Sequence, residues 1–134
     1  MCIFCKIVQG EIPAYKIYED EKNIAFLDIF PRAKGHTLVI PKKHYETFDL
    51  MTPEDSMAFS QSLSKVIQHL KSKLQSDGYN IYSNNGVIAG QEVPHVHFHI
   101  FPRFANSKIR TSFPPVLEDI KAQLPETHKQ ITST

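Results

Sequence analysis

Residues 95–100 read His-Val-His-Phe-His-Ile, three imidazoles alternating with three apolar side chains. Strict alternation is the period of a β-strand, where residues i, i+2 and i+4 share one face and their neighbours the other. The pattern therefore predicts a strand over residues 94–103. His95, His97 and His99 line one side, and Val96, Phe98 and Ile100 pack beneath another element. Pro94 has no N–H to give a ladder and belongs at the start of the strand or on an edge. A solvated polar face is the bland account of the histidines. Three of the chain's seven in one register argue instead for a site. Two chemistries remain open: imidazoles converging on a metal, or one imidazole acting as nucleophile or base while its neighbours position it.

The other patterns supply partners for that strand. Residues 3–9 form a short amphipathic turn of helix stopped by Gly10. Residues 15–19 and 24–29 read as strands joined by the polar turn 20–23, and residues 36–40 as a third strand ended by Pro41. From Thr52 the period changes. Thr52 is an N-cap, Pro53 fits the first helical position, and Glu54 and Asp55 suit the first turn. Phe59, Leu63, Val66, Ile67, Leu70 and Leu74 then recur at three- and four-residue steps, which predicts one long helix ended by Asp77 and Gly78. Residues 79–83 form a fourth strand and 84–93 a polar loop. Phe113, Pro114 and Pro115 block regular structure, and residues 116–124 form a last short helix before a polar tail. His69 and His128 stand alone in polar or helical company and read as solvated. The expectation is a single α+β domain over 1–134, with five mainly antiparallel strands and one long helix.

Charge and cysteine usage exclude several classes. Fifteen Lys+Arg against fourteen Asp+Glu give a net charge of +1, so no single-sign field invites nucleic acid, and a bound phosphate must be held by local groups. No apolar run approaches the roughly 20 residues of a membrane helix. The first residues lack the layout of a secretory signal, so a cytoplasmic protein is expected. The chain has only two cysteines, Cys2 and Cys5, spaced C-x-x-C, too few for a disulfide scaffold. A redox pair is disfavoured because no strand precedes it. Half a zinc site and two incidental thiols stay open.

Residues 90–103, Gly-Gln-Glu-Val-Pro-His-Val-His-Phe-His-Ile-Phe-Pro-Arg, resemble the signature of the histidine triad (HIT) nucleotide-binding family, His-φ-His-φ-His-φ-φ with φ apolar. Four further blocks are similar to that family in the expected order. The first pairs Ile-Phe-Cys-Lys-Ile-Val at 3–8 with Glu-Ile-Pro at 11–13. The others are Ala-Phe-Leu-Asp at 25–28, Gly-His-Thr-Leu-Val-Ile-Pro-Lys-Lys-His at 35–44 and Asn-Asn-Gly at 84–86. The likeness covers a core of about 1–104 and leaves 105–134 as a variable tail. It is nearest in character to the branch of small adenosine phosphoramidate hydrolases and their bacterial relatives.

That resemblance implies a HIT-like fold and hydrolysis of a nucleoside monophosphate joined through phosphorus to an amine or another leaving group. His97 would attack the α-phosphorus and become nucleotidylated, and water would release the monophosphate. A neutral imidazole is a competent nucleophile at cytosolic pH. Its second nitrogen would donate to the backbone carbonyl of His95. His99 would lie beside the phosphate and leaving group, and His36 would support the nucleophile's surroundings. Asp28 would accept from the ribose hydroxyls. Ile3, Phe4, Ile7, Ile12, Phe26 and Ile29 would wall a purine base, though periodicity alone cannot separate them from ordinary core. Asn84, Gly90, Gln91 and Val93 would hold phosphate oxygens through amide and backbone N–H groups.

Some relatives carry a small hydroxyl residue where this chain has Glu92, which predicts a carboxylate at the mouth favouring cationic amine leaving groups. The resemblance also implies a structural Zn²⁺ on Cys2, Cys5, His44 and His95, no catalytic metal, and a homodimer joined through the long helix and a sheet edge. Alternatives are dinucleoside polyphosphate cleavage, a nucleotide-binding interaction protein with incidental hydrolysis, and a metal enzyme using all three triad histidines.

Overall fold

In the computed structural model, which describes residues 2–108 and 113–134, five strands pair antiparallel into one sheet. They are β1 (Lys16–Glu19), β2 (Asn23–Leu27), β3 (Thr37–Pro41), β4 (Gly78–Tyr82) and β5 (Phe98–Arg103), in the order β1-β2-β3-β5-β4. Asp20 closes the β1–β2 hairpin: its carboxylate accepts from the amides of Lys22 and Asn23 at 2.9 and 2.8 Å and from the hydroxyls of Tyr18 and Ser62 at 2.7 and 2.5 Å. Burial alone would raise this carboxyl's pKa, but the hydrogen bonds outweigh it and hold the group below its ordinary range.

Helix α2 (Pro53–Leu74) lies on one face of the sheet. Thr52 caps it, its hydroxyl accepting from the Asp55 amide, with Pro53 in the first turn and Glu54 and Asp55 beside the positive end of the helix dipole. The helix ends at Gln75, left-handed at φ 54°, earlier than the predicted Asp77-Gly78 stop; Gly78 instead opens β4. The α2 stripe of Phe59, Val66, Ile67, Leu70 and Leu74 packs on Ala25, Leu27, Val39, Val96 and Ile100. Each Val, Leu, Ile or Phe side chain so taken from water contributes about 1.5–3 kcal/mol. Because β2 alternates, Ile24 and Phe26 face the other way, where they meet Leu38, Ile40 and Phe4 of α1 (Ile3–Val8). The sheet thus carries a core on one face and a partly covered apolar floor on the other.

Gly35 sits where the chain turns into β3. Its φ is +79°, and a Cβ there would strike Leu74 Cδ1 and lie 3.2 Å from Pro102 Cγ. Only glycine suits that conformation and that space.

Three further expectations need correction. The triad strand begins at Phe98, not at residue 94, because the preceding backbone groups are engaged elsewhere. The His95 amide donates to the Val93 carbonyl and the Val96 amide to the Tyr45 carbonyl, both at 2.8 Å. The alternation of faces nevertheless persists, with Val96 and Ile100 in the α2 core.

The polar tail is helical: α3 (Glu118–Ala122) is followed by α4 (Leu124–Thr132), whose Leu124 and Ile131 join the α2 core. His69 and His128, read as solvated, anchor it instead. His69 Nε2–H donates to the Ile131 carbonyl at 2.9 Å, and His128 Nε2–H to the Lys16 carbonyl at 2.8 Å.

Candidate active site

A cavity of about 690 Å³ opens on the face of the sheet opposite α2. Phe4, Phe26 and Leu38 form its apolar floor, with Ile7 and Ile12 beside them. Ile3 and Ile29 also line it and are 50% exposed, so two large apolar side chains at its rim have little protein to cover them. His97 and His99 lie within the same lining and Asn84, Gly90 and Val93 along its wall. Gly90 takes φ +91° to turn the loop back beside the Asn84 amide.

None of the triad histidines is solvated: His95, His97 and His99 are 0%, 6% and 9% exposed. Each has a different task. His95 Nε2–H donates to the Pro41 carbonyl at 2.7 Å, which leaves Nδ1 as a lone pair. That nitrogen lies 3.4 and 3.6 Å from the sulfurs of Cys2 and Cys5.

His97 uses its Nδ1–H on the His95 carbonyl at 2.7 Å, so its Nε2 is the bare lone pair of a cavity-lining ring. Burial lowers the pKa of His97, opposed by the His95 carbonyl and the charge of Glu92, and the ring is neutral at pH 7.

His36 packs against His99 and Phe101. The Arg32 amide donates to His36 Nδ1 at 3.1 Å, which places the His36 proton on Nε2, 2.9 Å from His99 Nδ1. His99 must then carry its own proton on Nε2, the remaining donor of a ring that lines the cavity. Burial holds both rings neutral, pushing His36 down to about 2 and His99 to about 3, with neighbouring positive charge acting in the same direction.

Asp28 lines the cavity with Oδ1 accepting from the Phe30 amide at 2.8 Å and Oδ2 3.6 Å from His36 Nε2. Burial raises its carboxyl, against the Phe30 bond and the charge of Arg32. Gln91 is the one expected ligand-binding residue outside the lining. Its side chain is buried and holds the loop, accepting from the Gly86 amide at 2.6 Å and donating to the carbonyls of Glu46 and Val93 at 2.7 and 3.0 Å. Sequence reasoning also missed Phe30, Arg32, Leu38, Phe113 and Val116. Leu38 was legible as the strand neighbour facing the same way as Phe26. Arg32 and Phe113 carry no local pattern that marks them.

A second cluster brings Cys2, Cys5, His44 and His95 together, with all four donor atoms within 4.8 Å of one another. The sulfur–sulfur and sulfur–nitrogen separations run from 3.2 to 3.6 Å. A tetrahedral zinc with bonds of about 2.0–2.3 Å separates its ligands by roughly 3.3–3.8 Å. Burial and the adjacent Cys2 push the Cys5 thiol up, a strain that a bound cation removes. This donor set fits zinc. His97 belongs to no such group among the described residues, and the three triad histidines do not converge on one point.

The HIT domain model matches residues 9–106. The chain belongs to the HIT family. It is 62% identical over 104 residues to an uncharacterized HIT-like protein of Methanocaldococcus jannaschii, covering 78% of this chain and 80% of that one. It is 45% identical over 105 residues to the adenosine 5′-monophosphoramidase HNT1 of Saccharomyces cerevisiae, covering 76% of this chain and 62% of that one. A zinc-bound histidine triad family protein from Mycobacterium smegmatis superposes with TM-score 0.76 at 37% identity, covering 98% and 96% of the two chains. Among the described residues no helix of this HIT protein is long and apolar enough to cross a membrane.

Proposed function

We propose that this HIT protein hydrolyses purine nucleoside 5′-phosphoramidates, adenosine first among them, through a covalent nucleotidyl intermediate on His97. The observation that carries the reading is the 2.7 Å bond from His97 Nδ1–H to the His95 carbonyl, which leaves a neutral Nε2 lone pair in a cavity of nucleotide size. The base lies on Phe4, Phe26 and Leu38 between Ile3 and Ile29, and the ribose hydroxyls meet Asp28. Backbone and amide groups of Asn84 and of residues 90–93 hold the phosphate, with Gln91 acting as the brace of that loop.

His97 Nε2 attacks phosphorus, and the phosphorus–nitrogen bond breaks as the leaving nitrogen takes a proton from solvent. The amine departs and the nucleotidyl group stays on the ring. Water then attacks the same phosphorus, the phosphorus–imidazole bond breaks, and the monophosphate leaves with His97 neutral again. His99 Nε2–H stabilises charge on the phosphoryl oxygen in both steps. The yeast monophosphoramidase likeness supports this substrate class.

Cys2, Cys5, His44 and His95 would hold a structural Zn²⁺, tying the amino end to the triad segment and taking no part in either step. The zinc-bound Mycobacterium smegmatis relative supports that assignment. A homodimer is the accompanying proposal, supported by the open β4 edge, where Tyr79 and Ile81 are exposed, and by exposed Met57 on α2. Light scattering of the purified chain tests it.

The deciding experiment mixes the protein with adenosine 5′-phosphoramidate, quenches in mild alkali and maps any adenylyl adduct by mass spectrometry. An adduct on His97, and release of AMP faster than from a dinucleoside polyphosphate, is the expected result. Turnover retained in His97→Ala overturns the nucleophile assignment.

A further inference from the structure

We propose that Arg32, laid over the ring of Phe113, is a specificity determinant that binds a carboxylate carried by the departing amine. The inference rests on the phosphoramidate reading and names its leaving-group class. In the sheet, His99 stands in register between Leu38 of β3 and Tyr82 of β4. The apolar base walls lie on the β2–β3 side of His99. Phe113 lies on the other side, its ring 5.7 Å from Tyr82 and 5.2 Å edge-on to His99. Beyond the phosphate, the route away from the base therefore passes Phe113.

Arg32 marks that route with a positive charge. Its guanidinium carbon lies 4.6 Å above the Phe113 ring, and its Nη1 donates to the Pro114 carbonyl at 2.7 Å. The Leu117 amide adds a 2.8 Å bond to the Pro31 carbonyl, so the chain around Pro114 is tied to the residues flanking Arg32. A guanidinium has five N–H donors in a planar fork, and the Pro114 carbonyl uses only one of its two η-nitrogens. Among the described residues no carboxylate lies within ion-pair distance of Arg32, although the side chain lines the cavity. A stacked and braced guanidinium that makes no ion pair among the described residues, with Asp28 acting on it only across the cavity, is suited to bidentate recognition of a carboxylate. An amino acid joined through its nitrogen to phosphorus carries its carboxylate carbon only roughly 2.5 Å past the scissile nitrogen. The Phe113 ring contacts both Arg32 and His99. Glu92 lines the same cavity, so the two charges together suit a leaving group that is not simply cationic, which revises the expectation drawn from Glu92.

The test is binding in a His97→Ala background, where the probe is not consumed. Calorimetry compares adenosine 5′-monophosphate joined through phosphorus to the nitrogen of alanine with its carboxamide. The free acid is expected to bind at least tenfold more tightly, the ratio to fall to near one in Arg32→Met, and part of it to return in Arg32→Lys. Phe113→Leu, which removes the platform and keeps the charge, is expected to lower the same ratio. Equal affinity for acid and amide overturns the proposal. So does an Arg32→Met variant that weakens both alike, the result expected if Arg32 holds the nucleotide's own phosphate or only braces Pro114. Turnover of unsubstituted adenosine phosphoramidate by the unaltered protein is measured separately. Its absence sinks the hydrolase reading while the acid-to-amide ratio still decides the subsite.

Discussion

The carbonyl oxygen of His95 lies 2.7 Å from Nδ1 of His97, while the ring of His95 reaches the other way to Cys2 and Cys5. One residue therefore couples two sites by two different atoms. The backbone atom selects the tautomer of the nucleophile candidate, and the side chain completes the candidate metal-ligand set. Substitution at position 95 deletes only the second. His95→Ala is expected to lose bound metal yet keep turnover within about tenfold, whereas His97→Ala loses at least about a thousandfold in kcat. Steady-state rates on adenosine 5′-phosphoramidate and metal content measured on the same preparations check the contrast.

The His36–His99 pair acts by proton placement. Removing His36 frees His99 Nδ1 to take the proton and turn its Nε2 into an acceptor. His36→Ala is therefore expected to lower kcat by about 10- to 100-fold with KM nearly unchanged. A rise in KM at constant kcat would assign His36 to substrate binding.

Acid should destabilise the fold earlier than carboxylate titration does. His36 and His99 are neutral in the fold, with pKa values of about 2 and about 3, because burial penalises their charged forms. In the unfolded chain each titrates near ~6.5. Below that pH the unfolded state binds protons that the folded state refuses, so stability falls as pH falls and levels off only beneath the folded values. The limiting slope is about 1.4 kcal/mol per pH unit for each histidine. Urea midpoints at pH 7 and pH 5 are expected to differ by the equivalent of roughly 2–4 kcal/mol. A flat profile contradicts burial of the pair in neutral form.

Purified without chelator, the protein is expected to carry about one zinc per chain. Cys5→Ser should release it and lower Tm by several degrees, because the tie between α1 and the triad segment is lost. Elemental analysis and thermal melts read the two effects, and metal-free protein with unchanged Tm would contradict a structural zinc.

The last helix is an integral layer and not an appendage. Ile131 is fully buried beside α2, so Ile131→Ala should cost about 2–4 kcal/mol. Denaturant unfolding measures it. A loss under about 0.5 kcal/mol would mean that α4 contributes little.

Local pattern made most of the fold legible. The strands read at 15–19 and 24–29 pair as a hairpin, though the second runs Asn23–Leu27 and stops before Asp28, the stripe from Phe59 to Leu74 formed α2, and His97 and His99 entered one cavity with Phe4, Phe26 and Asp28. Where the reading failed, a long-range partner decided. His69 and His128 look like solvated residues until α4 brings the Ile131 and Lys16 carbonyls to them. Gln91 has the chemistry of a phosphate ligand and became a brace because the Gly86 amide and two carbonyls reach it first.

The alternation at 95–100 determined by itself which side chains share a face, since the pleat of extended chain permits only two directions. The spacing of apolar residues in α2 likewise determined what that face packs against. Which nitrogen of each imidazole bears a proton, and that Arg32 lies over Phe113 beside His99, came only from tertiary structure. Those relations depend on hydrogen-bond partners and ring contacts brought together from distant parts of the chain, and no local periodicity encodes them.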